Sequence, residues 1–109
     1  MNTKTFFDKL PATLAADPKL GTGINAVFHL KVRGTGGGEW TLNCRGPSPR
    51  LEVGLAGKAD CAVEADAADF ESVLRDPASA MRLYIAKRVK IEGNALLITK
   101  LAPILKAVK

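Results

Sequence analysis

Two alternating runs joined by glycines constrain the fold of this chain more than any other feature. From Ile24 to Arg33 every second residue is apolar, which is the pattern of a strand with one buried face. Trp40, Leu42 and Cys44 resume the alternation after the segment 34–38, in which glycine lets the chain reverse. A phosphate-binding glycine loop would instead lead into a helix. The sequence therefore predicts a β-hairpin.

Three more strands are predicted further along the chain. Apolar residues alternate over Leu51–Leu55 and again within Asp60–Ala65, and a short basic strand follows at Arg88–Glu92. A turn is predicted at Gly46–Pro49. Because the first four strands follow one another with short turns between them, we expect a meander in which neighbours in sequence are neighbours in the sheet.

Helical periodicity marks both ends of the chain and the region before the last strand. Apolar residues recur there at spacings of three and four, which places them on one helix face. The predicted helices are 2–16, 67–75, 78–86 and 94–108. Asp66 is placed to cap the second helix with its carboxylate, and Pro77 is expected to end it.

Strands flanked by helices predict an α+β fold, in the form of a mostly antiparallel five-stranded sheet with helices packed on one face. The helices carry more apolar surface than one face of five short strands needs. Two apolar layers that do not touch everywhere enclose a space. We therefore expect a cavity between the sheet and the helices.

The length of 109 residues is that of one domain, which we place over residues 1–109. The apolar run Ala95–Ile98 is far shorter than the roughly 18 residues of a membrane span. Lys4, Asp8 and Lys9 interrupt the segment where a signal peptide would need an uncharged centre. These features predict a cytoplasmic protein.

Residues that could carry chemistry are few. The single histidine, His29, falls on the polar face of the first strand, and no nucleophile and base can be paired by spacing. Cys44 and Cys61 lie in strand patterns, where free cysteine is usually buried, and no C-x-x-C motif offers a zinc site. We therefore expect no enzyme activity and neither a cofactor nor a metal.

The net charge of +5 is compatible with an anionic partner. Proteins that bind nucleic acid often place aromatic rings among their cations for base stacking, and here only Tyr84 lies near the basic cluster. We therefore expect no nucleic-acid partner.

Several short motifs occur together in an order that a known family shares. They are the hairpin NAVFHLKVRGTGGGEWTLNC at 25–44, ADCAV at 59–63, Asp69-Phe70 with Val73-Leu74, and RVKIEGN at 88–94 followed by Lys100-Leu101. In this order they resemble the sterol carrier protein type-2 family, also called SCP-2-like sterol-binding domains. Lys87 stands where that family usually has a glycine.

The resemblance implies a hydrophobic tunnel that binds and transfers lipids such as fatty acids, fatty acyl-CoA, phospholipids or sterols, without a covalent step. The side chains expected to line it are apolar residues of the sheet and helices. They are Phe28, Trp40, Leu42, Phe70, Leu74, Met81, Tyr84, Ile85, Leu97, Leu101 and Leu105.

Three cations are expected at the mouth of the tunnel. Arg82, Lys87 and Arg88 would pair there with a lipid headgroup or touch an anionic membrane. Related domains fused to enzymes leave an alternative open, in which the domain serves protein interaction or dimerisation. The oligomeric state stays open as well.

Overall fold

The computed structural model describes residues 2–17, 19–22, 24–45, 49–76, 78–94 and 97–108. In chain order its elements are α1 Thr3–Ala16, α2 Lys19–Thr22, β1 Val27–Arg33, β2 Gly38–Asn43, β3 Arg50–Val53, β4 Cys61–Asp66, α3 Ala67–Arg75, α4 Ser79–Ile85, β5 Val89–Gly93 and α5 Ile98–Ala107. The predicted α+β class with a five-stranded sheet is confirmed. Residues 46–48 of the predicted turn, Pro77, and residues 95–96 of the predicted last helix lie outside the described residues.

The strand order is β3-β2-β1-β4-β5. The pairs β1–β2, β2–β3 and β4–β5 are antiparallel, so the prediction of a mostly antiparallel sheet is correct. The pair β1–β4 is parallel, with Phe28 opposite Cys61 and Val32 opposite Ala65. The predicted meander is therefore wrong, because β4 lies beside β1 and not beside β3.

The connection from β3 to β4 explains this order. Gly54, with φ of 92°, turns the chain after β3. The Thr41 hydroxyl donates to the Gly54 carbonyl at 2.7 Å and accepts the Ala56 N–H at 2.9 Å. The His29 Nε2 lies 3.0 Å from the carbonyl oxygen of Ala56. These contacts hold the connection across the outer face of β2 and β1, and it delivers β4 to the far side of β1.

The two faces of the sheet differ as the alternation predicts. The inner face supplies buried apolar side chains such as Phe28, Leu30 and Leu42, against which the helices pack. The outer face carries charges of alternating sign in neighbouring strands: Lys31 lies opposite Glu39 and Glu64. No helix in the described part of the chain is long and apolar enough to cross a membrane.

The first helix is tied to the third through its N-terminus. The carboxylate of Glu71 accepts both the backbone N–H of Thr3, at 2.9 Å, and its hydroxyl, at 3.1 Å. Asp66 does occupy the N-cap position of α3, but it makes no side-chain cap bond. Its carboxylate instead lies 3.3 Å from Nε of Arg33, so the predicted capping role is wrong.

Candidate functional site

An apolar cavity of about 60 Å³ lies between the inner face of the sheet and the helices. Among the described residues, every side chain that lines it is apolar. The lining residues are Phe6, Leu10, Leu30, Leu42, Val63, Ala65, Phe70, Val73, Ala80, Val89, Ile91, Leu101, Ala102, Ile104 and Leu105. The cavity therefore offers a bound molecule no side-chain hydrogen bond and no charge.

Alternation and helical spacing each supply part of this wall. Leu30, Val63 and Ile91 stand opposite one another in β1, β4 and β5, so they form one row on the inner face. Leu101, Ile104 and Leu105 recur at spacings of three and four, so α5 turns one apolar stripe toward that row. Alanines at 65, 80 and 102 lie among these larger residues, and their short side chains leave the space between the layers unfilled.

The cavity meets solvent on the side of α4, β5 and α5. Of the five half-buried residues in the lining, Ala80, Ile91, Ala102 and Leu105 belong to these elements and Val63 to β4, whereas lining residues from α1, such as Phe6, are fully buried. A molecule entering the cavity would therefore pass between these three elements.

A cavity of about 60 Å³ admits on the order of four water-sized groups. That volume is far smaller than the volume of a long acyl chain. Entry of such a chain requires the helices to move away from the sheet. Side chains that face one another across a void lose contacts, so the two layers adhere less firmly at the cavity than they would if it were filled.

An aromatic cluster forms part of the cavity wall and extends away from it. The ring of Trp40 stacks on Phe7, with centroids 3.7 Å apart and planes 9° apart. Phe7 stacks in turn on Phe70 at 5.6 Å, and Phe6 meets Phe70 edge-on at 5.8 Å. Phe6 and Phe70 line the cavity, while Trp40 lies two rings away from it.

Arg82 and Arg88 both have carboxylate partners. Arg88 binds the buried carboxylate of Asp69 through two nitrogens, at 3.2 and 3.1 Å. The Nη2 of Arg82 lies 3.4 Å from the carboxylate of Asp76. Lys87 makes no ion pair with the residues that the structure describes. Of the cations predicted at the mouth, Lys87 is thus the one without a carboxylate partner there.

Lys87 also ends α4 in an unusual backbone conformation. Its φ is 63°, in the left-handed region that glycine adopts most easily. Its N–H donates to the carbonyl of Tyr84 at 3.0 Å, and the N–H of Arg88 donates to Leu83 at 2.9 Å. This is the Schellman arrangement, in which the residue at the position of Lys87 is usually glycine. The chain keeps the turn without the glycine.

The structure separates the predicted wall residues into three groups. Leu42, Phe70, Leu101 and Leu105 line the cavity. The second group belongs to the core without lining the cavity, and it comprises Phe28, Trp40, Leu74 and Leu97. The third group lies on the surface of α4, and it comprises Met81, Tyr84 and Ile85. A role of the last two groups in binding stays a prediction.

Sequence reasoning overlooked most of the wall. The sequence pattern places Phe6 and Leu10 on the apolar face of a helix and Val63, Val89 and Ile91 in strands, but it does not indicate that they line a cavity. The alanines that leave the space open carry no signal of their own. The register of β4 and β5 against β1 would have identified the inward row, but it depends on the strand order.

Both cysteines are buried and reduced. Burial raises the pKa of the Cys44 thiol to about 11, and it raises that of Cys61 to about 11 as well, with the charge of Asp60 adding to the effect. Neither thiol is therefore a nucleophile at neutral pH. No group of His, Cys, Asp and Glu side chains within the described residues is arranged to hold a metal ion.

Taken together, the sheet, its single helical layer and the wholly apolar interior space define an α+β domain built around a hydrophobic cavity. The model of the SCP-2 sterol transfer family matches residues 7–106. The chain belongs to that family, and the resemblance seen in its motifs is confirmed.

Solved structures share the fold across nearly the whole chain. Sterol carrier protein 2 from Yarrowia lipolytica, in its apo form, superposes with a TM-score of 0.77 at 21% identity, covering 94% of this chain and 88% of that one. Palmitated SCP2L2 from Aedes aegypti gives 0.73 at 20% identity, covering 96% and 95%. Aedes aegypti SCP-2 in complex with palmitate gives 0.71 at 15% identity, covering 100% of both chains. At these identities the likeness shows the fold alone.

Proposed function

We propose that this protein binds a lipid by its acyl chain in the cavity and transfers it without chemical change. The observation that carries the proposal is the apolar lining of the cavity, since every described side chain around it is apolar. Such a site suits a hydrocarbon chain and offers a reacting group no acid, base or nucleophile. The palmitated SCP2L2 and the SCP-2 complex with palmitate, both from Aedes aegypti, support an acyl ligand.

Burial of the chain would supply the affinity. Each methylene removed from water contributes about 0.8 kcal/mol, so ten of them would contribute about 8 kcal/mol before the cost of ordering the chain. Part of this free energy would be spent on moving the helices apart, because the cavity of about 60 Å³ is too small for ten methylenes as it stands. The bound and empty proteins would therefore differ in the position of α4 or α5.

The polar end of the lipid would remain at the opening. The lining offers it no partner, and Lys87 stands between α4 and β5, two of the elements that frame the opening. Arg82 and Arg88 have carboxylate partners, yet their side chains are 75% and 62% exposed and can still attract an anion. We therefore propose an anionic headgroup, and transfer by contact with an anionic membrane surface.

Displacement of a fluorescent fatty-acid analogue tests the binding proposal. Ala102→Phe would fill the cavity with a ring, and we expect it to weaken binding by at least about tenfold. The matched control is Ala68→Phe, which adds the same ring at an exposed position of α3. Absence of saturable binding to the unmodified protein, or equal binding by a folded Ala102→Phe variant, would contradict the proposal.

A further inference from the structure

Three large apolar side chains lie exposed on one short helix. Met81, Tyr84 and Ile85 of α4 are 46%, 39% and 74% exposed. Spacings of three and four residues place Tyr84 and Ile85 beside Met81, so the three share one face of the helix. We call these three residues the α4 face. Apolar side chains that stay in water gain no hydrophobic stabilisation. A cluster of them marks a surface that contacts another protein or a membrane.

The charges around the α4 face favour a membrane as its partner. Arg82, Lys87 and Arg88 flank this face. Arg82 and Arg88 are paired with Asp76 and Asp69, but their side chains remain 75% and 62% exposed, and Lys87 makes no ion pair with the described residues. A short apolar face surrounded by cations is the pattern of an interfacial helix, whose apolar side chains enter the bilayer while its cations meet anionic headgroups.

The α4 face lies next to the opening of the cavity. Ala80 of the same helix lines the cavity, and α4 leads through Lys87 directly into β5, where Val89 and Ile91 line it as well. A helix is about 10 Å across, so the exposed face and the cavity are separated by roughly that distance. A bilayer in contact with the α4 face would therefore reach the side on which the cavity opens.

We infer that the α4 face is a membrane-docking surface, which sets the opening of the cavity against an anionic bilayer. The inference rests on the proposed lipid-binding function, and it adds the place of contact and the residues that make it. Met81 and Ile85 would enter the bilayer interface, and the surrounding cations would hold α4 to it.

Co-sedimentation with vesicles tests docking separately from lipid binding. The protein is mixed with vesicles of phosphatidylcholine alone or with phosphatidylglycerol added, and each variant is also titrated with the fluorescent fatty acid in the absence of vesicles. We expect binding to the anionic vesicles only, with affinity falling as salt is raised, by about fivefold for each cation screened. The double variant Met81→Ser with Ile85→Ser should lose at least about tenfold in vesicle affinity. Its loss of fatty-acid affinity, measured without vesicles, should be smaller than its loss of vesicle affinity.

The matched control removes equally exposed apolar side chains at another place. Val53 and Leu55, at the end of β3 and just after it, are 89% and 40% exposed, and the double variant Val53→Ser with Leu55→Ser should bind vesicles as the unmodified protein does. Equal losses in the two double variants would overturn the inference, as would tight binding to neutral vesicles. A protein that ignores all vesicles but changes from dimer to monomer in Met81→Ser with Ile85→Ser would show that a second copy covers the α4 face. If fatty-acid binding fails while vesicle binding is retained, the proposed function falls and the docking surface stands.

Discussion

Arg88 holds the carboxylate of Asp69 with two nitrogens, its Nε lying 3.2 Å from one oxygen and its Nη2 3.1 Å from the other. Asp69 lies at the start of α3 and Arg88 just before β5, so the pair links two elements that line the cavity through Phe70 and Val89. The Asp69 side chain is 9% exposed, and the guanidinium is its ion-pair partner in the described structure.

Removal of this guanidinium should destabilise the protein. We expect Arg88→Ala to lower the free energy of unfolding by about 2 kcal/mol, because a buried carboxylate loses its partner; the exposure of Arg88 keeps the loss below that of a fully buried pair. Arg88→Lys should retain only part of the stability that Arg88→Ala loses, because an ammonium cannot bind both oxygens in the same planar geometry. Arg82→Ala is the control: it breaks an exposed pair and should cost at most about 0.5 kcal/mol. Urea unfolding measures all three, and equal losses at positions 82 and 88 would contradict the assignment.

Lys87→Gly should stabilise the protein. A side chain at φ of 63° costs about 1 kcal/mol, and glycine at this position of a helix end removes that cost. Lys87→Ala removes the same charge and keeps the strained backbone, so it separates the two effects. Thermal unfolding should rank glycine above lysine and alanine. A glycine variant no more stable than the alanine variant would show that the left-handed turn carries no strain.

Asp60 should make stability depend on pH in the acid range. Hydrogen bonds from the N–H of Val27 and from Nε and Nη2 of Arg45 hold the pKa of its carboxyl below the ordinary value. Its ionised form thus stabilises the folded state above the unfolded pKa, and that contribution is lost as pH falls through the lower folded pKa. Asp60→Asn should reduce the decline in stability between about pH 5 and pH 2. Urea unfolding across this range, with Asp17→Asn at an exposed helix end as control, measures the difference.

Glu71→Ala should loosen α1 from α3. The variant leaves the N–H and the hydroxyl of Thr3, a fully buried residue, without their acceptor, and we expect a loss of about 2 kcal/mol in the free energy of unfolding. Glu71→Gln keeps an acceptor oxygen and should lose less than half as much. Hydrogen exchange should show the loss at the start of α1 before it appears in the sheet. An equal loss of protection from exchange at the start of α1 and in the sheet would argue against a local effect.

The elements of this fold could be read from the sequence, but their arrangement could not. The alternation around Phe28 and the turn glycines are local signals, so the hairpin of β1 and β2 was predictable. The parallel pairing of β4 with β1 depends on the contacts of Thr41 and His29 with the connection at 54–56, which join residues far apart in sequence. Such contacts leave no periodic pattern of apolar residues in the sequence.

The cavity was predictable as a surplus of apolar surface, and its wall was not. Met81, Tyr84 and Ile85 have the spacing of a buried helix face, but the structure turns Ala80 toward the cavity and leaves those three outside. A seven-residue helix is too short for its pattern to show which side faces the sheet. Which side of α4 is buried depends on the turn at Lys87 and on β5, and both come after α4 in the chain.

Because the cavity is small, the stability of the empty protein and its affinity for a ligand oppose each other. A ligand that must part the helices from the sheet binds less tightly the more firmly those layers adhere. Substitutions that tighten α5 on the sheet would therefore make the empty protein more resistant to unfolding and at the same time a poorer carrier. Selection for carriage would keep the interior looser than packing alone favours, and the short alanine side chains at 65, 80 and 102 are the places in this sequence where that compromise is visible.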